Sequence, residues 1–121
     1  MTVPTTWETL KYLVVYGKDA DVLKILASGE ESRLELMNES GIKYHSSLTR
    51  ILNRLSSHGL IHELYVEEES TQDISKLWKA SPISGKILEL YEEMRAIAKE
   101  YDVKISSLVK ETQKVADKQK K

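Results

Sequence analysis

The stretch richest in groups able to do chemistry runs from Lys43 to Arg54, KYHSSLTRILNR, where hydroxyls, an imidazole, an amide and two guanidinium groups interleave with apolar residues. At helical spacing Leu48, Ile51, Leu52 and Leu55 share one side of a helix from about Tyr44 to His58, and the polar groups take the other. Such groups donate to phosphate oxygens and to base edges in a major groove. Arg50 carries the fork for a bidentate contact to a guanine edge, and Asn53 has the amide that suits adenine. His45, Ser46, Ser47 and Thr49 lie near the helix N-terminus, whose dipole favours phosphate. Lys43 and Tyr44 precede the helix as phosphate-contact candidates, and Arg54 completes the polar face. The plain alternative for each is a solvated surface position.

Other chemistries find little support. His58 and His62 flank Gly59, which ends a helix, so with His45 they form no helical ligand pair, and the chain has no cysteine. No metal site and no cofactor are expected. No glycine loop cradles a phosphate and no nucleophile has a base at motif spacing, so the chain does not read as an enzyme. The Glu92-Glu93 pair reads as solvated surface.

The positioning elements follow from the flanking sequence. Gly59 supplies the left-handed residue that closes the helix, and Leu60 and Ile61 return the chain to the core. Upstream, Asp19 is a plausible N-cap for a helix with Val22, Leu23 and Leu26 inward and Gly29 at its end. The Ser28-Gly29-Glu30-Glu31 connector has room for a small strand. Ser32 and Glu35 form a capping box that opens a brief helix through Glu39, and Ser40-Gly41 makes the turn. Two short helices and a glycine-containing turn leading to an amphipathic third helix make a helix-turn-helix.

Downstream the period changes from 3.6 to about 2. Ile61 to Glu67 reads as a half-buried strand, Ser70 to Asp73 as a turn, and Ile74 to Ala80 as the returning strand, with Trp78 and Ile74 on one face and Leu77 toward the helices on the other. From Asp19 to Gly85 the sequence resembles the winged helix-turn-helix of small prokaryotic regulators of the MarR and PadR groups. The most family-like piece is Leu48-Thr49-Arg50-Ile51-Leu52 with Leu55 and Gly59-Leu60-Ile61. The resemblance implies a DNA-binding regulator whose hairpin is the wing. The wing departs from the usual basic pattern: Glu67, Glu68, Glu69 and Asp73 would repel phosphate, which leaves Lys76 and Lys79 as its backbone-contact candidates.

The ends of the chain read as assembly elements. Thr5 and Glu8 form a capping box for a first helix whose Trp7, Leu10 and Val14, flanked by Leu13 and Tyr16, make a broad apolar surface; Gly17 ends it. In the resembled regulators an extra N-terminal helix commonly joins the dimer interface, and ordinary core packing within one chain is the equal alternative. After a helix start at Ser81-Pro82, the positions Ile83, Ile87, Leu90, Met94, Ile97, Tyr101, Ile105, Leu108, Thr112 and Val115 step by threes and fours. Two successive fours meet at Tyr101 to Ile105, the mark of a stutter or of a break near Asp102-Val103. A helix this long cannot bury its seam on so small a body. Pairing with the same helix of a second copy is therefore expected, or a return of the chain from Ile105 onward onto the first helix, and packing of a long helix on its own domain is the plainer alternative. Lys114, Lys118, Lys120 and Lys121 read as a solvated tail.

Composition sets the frame. The formal net charge is −1 although 31% of residues are charged, so any DNA contact is local rather than a general basic coat. The absence of cysteine excludes disulfides and thiolate chemistry. No apolar run approaches the roughly 20 residues a membrane helix needs. The N-terminus lacks a secretory pattern, and a cytoplasmic protein without membrane contact is expected.

The expected architecture is mainly α with a small β-hairpin wing, an α+β winged helix-turn-helix. Residues 1–18 form an N-terminal helix at the dimer interface, 19–81 the DNA-binding domain, and 82–121 a long, coiled-coil-like dimerisation helix with a lysine-rich tail. The expected partners are double-stranded DNA and a second copy of the chain. The resemblance also implies room for a small-molecule effector, which no residue here identifies. The alternative is a protein-interaction module whose acidic wing binds a basic partner.

Overall fold

In the computed structural model, residues 3–67 and 74–119 are described, with the backbone alone described at Ile74 and at 117–119. Glu68, Glu69 and Asp73 of the expected acidic wing tip lie outside these residues, as do Lys120, Lys121 and the side chain of Lys118. The elements run α1 (Thr6–Val15), α2 (Gly17–Ser28), α3 (Arg33–Ser40), α4 (His45–Ser57), β1 (Ile61–Glu67), β2 (Ile74–Ala80) and α5 (Ser84–Gln119).

Local sequence accounts for most of the helix ends. The Thr5 hydroxyl accepts from the Glu8 N–H at 3.1 Å and donates to the Glu8 carboxylate at 3.0 Å, so the pair caps α1. At α3 the capping box is complete: the Glu35 N–H donates to the Ser32 hydroxyl, and the Ser32 N–H donates to the Glu35 carboxylate. Gly41 (φ 74°) and Gly59 (φ 70°) adopt the left-handed conformation that ends α3 and follows α4. At the second, the Leu60 N–H reaches back to the Leu55 carbonyl at 3.1 Å, satisfying a terminal acceptor while turning the chain into β1.

Two starts differ from the sequence reading. α2 begins at Gly17 directly after the α1 C-cap Tyr16, so Asp19 lies in the first turn and not at the cap. Its carboxylate is 1% exposed and is engaged by other elements, which a capping role would not allow. α5 begins at Ser84, not after Ser81, because the Ser84 N–H donates to the Ser81 carbonyl at 2.9 Å and closes a turn over Pro82 and Ile83 first. The Ser81 N–H (2.8 Å) and the Ser84 hydroxyl (2.5 Å) both donate to the Leu60 carbonyl.

The core of residues 1–89 gathers around α2, which packs on α1, α3, α4 and β2. Leu13, Val22, Leu23, Leu36, Leu48, Leu52 and Leu55 are essentially inaccessible. Burying such a side chain is worth about 1.5–3 kcal/mol, so the inward stripe of α4 is what holds its other face outward. β1 and β2 pair antiparallel from Ile61↔Ala80 to Glu67↔Ile74. In place of the small strand anticipated in the Ser28–Glu31 connector there is a single-residue bridge: Glu31 and Trp78 exchange backbone hydrogen bonds of 3.1 and 2.8 Å. That bridge draws Trp78 into the core, while Leu77 is only half-buried, the reverse of the expected assignment of faces.

From Leu90 to Gln119 the rest of α5 belongs to a second compact unit. The helix passes Asp102 and Val103 unbroken, so the paired fours are a stutter in a continuous helix. Ile97, Tyr101, Ile105, Leu108 and Val115 are each more than half exposed. Among the described residues no helix is long and apolar enough to cross a membrane.

Candidate nucleic-acid interface

α4 starts from Tyr44, an extended residue that makes no side-chain cap bond, and its first turn contains no acidic residue. The N–H groups of that turn therefore meet no internal carboxylate, which keeps the positive end of the helix available to an anion. Lys43, Tyr44, His45, Ser46, Ser47, Arg50 and Asn53 are all exposed, Tyr44 by 70%. None of their side chains has an internal hydrogen-bond or ion-pair partner among the described residues. Seven of the eleven expected contact residues thus form one continuous surface, from the turn along the front of α4.

The other four are engaged within the chain. Thr49 is half-buried, and its hydroxyl accepts from Arg33 Nη1 at 2.9 Å. On the wing, Lys76 pairs with Glu63 at 3.1 Å and lies over the Trp78 ring at 4.7 Å, and Lys79 meets Glu30 at 3.7 Å. Both remain about half exposed, so these are surface pairs of modest strength. The Tyr65 hydroxyl donates to Glu63 at 2.8 Å, and that bond, with Lys76, holds the Glu63 carboxyl below its usual range.

Arg54 departs furthest from its expected role. Its Nε and Nη2 donate to Asp19 Oδ2 and Oδ1 at 2.8 and 3.0 Å, and its guanidinium lies 4.4 Å from the centre of the Tyr16 ring. The Tyr12 hydroxyl donates to the same carboxylate. Burial, then the bond to Asp19, raises the Tyr12 pKa, and the Asp19 hydrogen bond raises that of Arg54. Beside them His58 stacks on Tyr12 at 4.3 Å with its Nδ1 3.0 Å from the Thr9 hydroxyl, and burial lowers its pKa. Arg54 is therefore a brace that ties α4 to α1 and α2, not a free donor on the exposed face of α4. His45 and His58 serve different surfaces, and the described residues contain no cluster of three or more metal-ligating side chains.

Arg33 and the Asp19 cluster were not singled out from the sequence. Arg33 is the first residue of α3, and its donation to the His45 carbonyl (3.3 Å) and to Thr49 holds the front of α4 against α3. A basic residue directly after the Ser32 cap was the only local signal. Asp19 and Arg54 are 35 positions apart, and nothing local joins them.

The apolar residues expected at a dimer interface divide as well. Leu10 and Ile87 are 6% and 4% exposed within the chain's own core, which leaves no surface for a partner to cover. Leu90 and Met94 are half-buried, whereas Trp7, Val14, Ile97, Tyr101, Ile105 and Leu108 are open.

No protein-family model and no curated relative matches the chain. Solved structures do match. TA0346 of Thermoplasma acidophilum, described as a candidate transcriptional regulator, aligns with a TM-score of 0.57 at 15% identity, over 78% of this chain and 95% of that one. The chain has a winged helix-turn-helix fold. The transcriptional regulator Cth-833 of Clostridium thermocellum aligns at 0.56 and 21% identity over 75% of this chain and 92% of its own. A PadR-like transcription factor of Bacteroides fragilis aligns at 0.56 and 18% identity over 83% and 98%. In this winged helix α3 and α4 are the helix-turn-helix pair, β1 and β2 the wing, and α1 and α5 the additions at either end.

Proposed function

We propose that the chain is a sequence-specific double-stranded DNA-binding regulator of transcription that acts as a homodimer with α4 in the major groove. The observation that carries this reading is the exposed front of α4. Ser46, Ser47, Arg50 and Asn53 stand free of internal partners on a helix fixed from behind by four buried aliphatic side chains. A helix held in this way meets base edges without first breaking internal bonds. The three aligned structures, each described as a regulator of transcription, support the same reading.

Dimerisation is supported by the exposed apolar residues Trp7, Val14 and Val15 on α1 and Ile97, Tyr101, Ile105 and Leu108 on α5. Apolar surface of this extent marks a protein contact. In a twofold dimer the two α4 helices would meet successive major grooves about 34–36 Å apart, on a site of matching symmetry. The direct test is duplex binding by wild type and by Arg50→Ala/Asn53→Ala. Loss of binding by a folded double variant supports α4 as the reading face, and unchanged affinity removes it.

The second reading is a winged helix used for protein contact. The engagement of Lys76 by Glu63 and of Lys79 by Glu30 favours it, since the described part of the wing then offers phosphate no unpaired cation.

A further inference from the structure

Arg33 is held in an unusual way for a cation at a helix start. Its Nη1 carries two N–H groups and both point inward, to the His45 carbonyl at 3.3 Å and the Thr49 hydroxyl at 2.9 Å. The three N–H groups on Nε and Nη2 have no acceptor among the described residues. No carboxylate pairs with the charge either: Glu35, in the same turn, is committed to the Ser32 N–H. The guanidinium is thus anchored at one corner, half-buried, and without an ion-pair partner among the described residues. The parallel donors of an Nε–Nη2 edge match two oxygens of a phosphate. Fixing such a long side chain beforehand also lowers the entropy lost when a ligand immobilises it.

We propose that Arg33 grips a backbone phosphate of duplex DNA through its Nε–Nη2 edge while Nη1 holds the first turns of α4, so that one side chain ties phosphate grip to groove register. The inference rests on the DNA reading above and adds to it a contact outside α4. The phosphate bond itself is blind to sequence. Its influence on readout comes through the inward bonds, which set where Thr49 and the start of α4 lie relative to the clamped strand.

The test is fluorescence anisotropy of full-length wild type, Arg33→Ala, Arg33→Lys and Thr49→Val on two duplexes, the chain's own upstream region and a random sequence, across salt concentrations. For Arg33→Ala the slope of log affinity against log salt becomes shallower by about 0.9, so its deficit relative to wild type narrows about 3.5-fold between 50 and 200 mM salt. The change is the same on both duplexes. Thr49→Val removes an inward bond but leaves the outer edge, and it keeps the wild-type slope. Arg33→Lys keeps the slope and loses affinity, because a point charge replaces a fork. A wild-type slope for Arg33→Ala, or the same slope change in Thr49→Val, overturns the proposal and leaves Arg33 as an internal brace. Should Arg33→Ala fail to fold, wild-type affinity for Arg33→Lys overturns it as well. A wild-type protein that binds neither duplex at low salt overturns the DNA reading itself, an outcome distinct from a binding protein indifferent to Arg33.

Discussion

Replacing Arg54 by alanine should unfold the protein more readily, although from the sequence Arg54 reads as a surface residue of the DNA-contacting face. Its two bonds to Asp19 are short, 2.8 and 3.0 Å, and the Asp19 side chain is 1% exposed whereas Arg54 is 35% exposed. Removing one member of a fully buried pair costs about 3–5 kcal/mol, most of it from the charge left behind. Two features pull the value toward the low end: water screens the open side of Arg54, and the Tyr12 hydroxyl still donates to Asp19 in the variant. Loss of the stack on Tyr16 adds about 0.5–1 kcal/mol. The expected destabilisation is about 3 kcal/mol, several degrees or more in Tm for a chain of this size. Urea unfolding followed by circular dichroism at one fixed protein concentration measures it, since dimerisation would make stability concentration-dependent. With Asp19→Asn and the double variant, the cycle should return a coupling near 2 kcal/mol. An Arg54→Ala protein within about 0.5 kcal/mol of wild type, or additive single effects, would refute the brace. Below its melting range the variant should also keep the wild-type salt slope for DNA, because no phosphate contact has been removed.

Glu31 carries a pH dependence. It is buried at the wing bridge with Oε2 unpartnered, and burial, then Glu39 and Glu35, push its pKa from 4.5 up to about 7. Between those values the folded form holds a proton that the unfolded chain has released, so the contribution of Glu31 to stability is greatest below about pH 4.5 and is lost as pH rises toward 7, by at most about 3 kcal/mol; Glu31→Gln should remove that component in urea titrations at pH 5 and 8. Gly59→Ala forces a Cβ into a φ of 70° and should cost about 1–2 kcal/mol with DNA contacts untouched, read from the same unfolding curves. Ile97→Asp with Leu108→Asp, both exposed, should give folded monomers in sedimentation velocity, and a persistent dimer would move the interface elsewhere.

The helix-turn-helix was readable because its signals are local. A capping box at Ser32/Glu35, left-handed glycines at 41 and 59, and an apolar stripe at 48, 51, 52 and 55 all act within a few residues. The engagement of polar residues was not readable, because their partners are distant in sequence. Arg54 follows Arg50 by one helical turn, yet a buried carboxylate 35 residues away takes one while the other stays in solvent. Trp78 was assigned the wrong face for a related reason. Alternation fixes which residues share a face, but the Glu31 bridge decides which face turns inward. Leu10 and Ile87 fit a dimer seam by period, but periodicity does not distinguish a chain's own core from a partner's.

The central claim, that the open front of α4 reads duplex DNA, is tested most directly by a salt-dependent anisotropy titration of wild type and Arg50→Ala/Asn53→Ala against the chain's own upstream region and a random duplex. The account predicts tighter binding to the upstream region, affinity that falls steeply with salt, and loss of the preference in the double variant with its Tm unchanged. No wild-type binding even at low salt, or a preference that survives the double substitution, would contradict it.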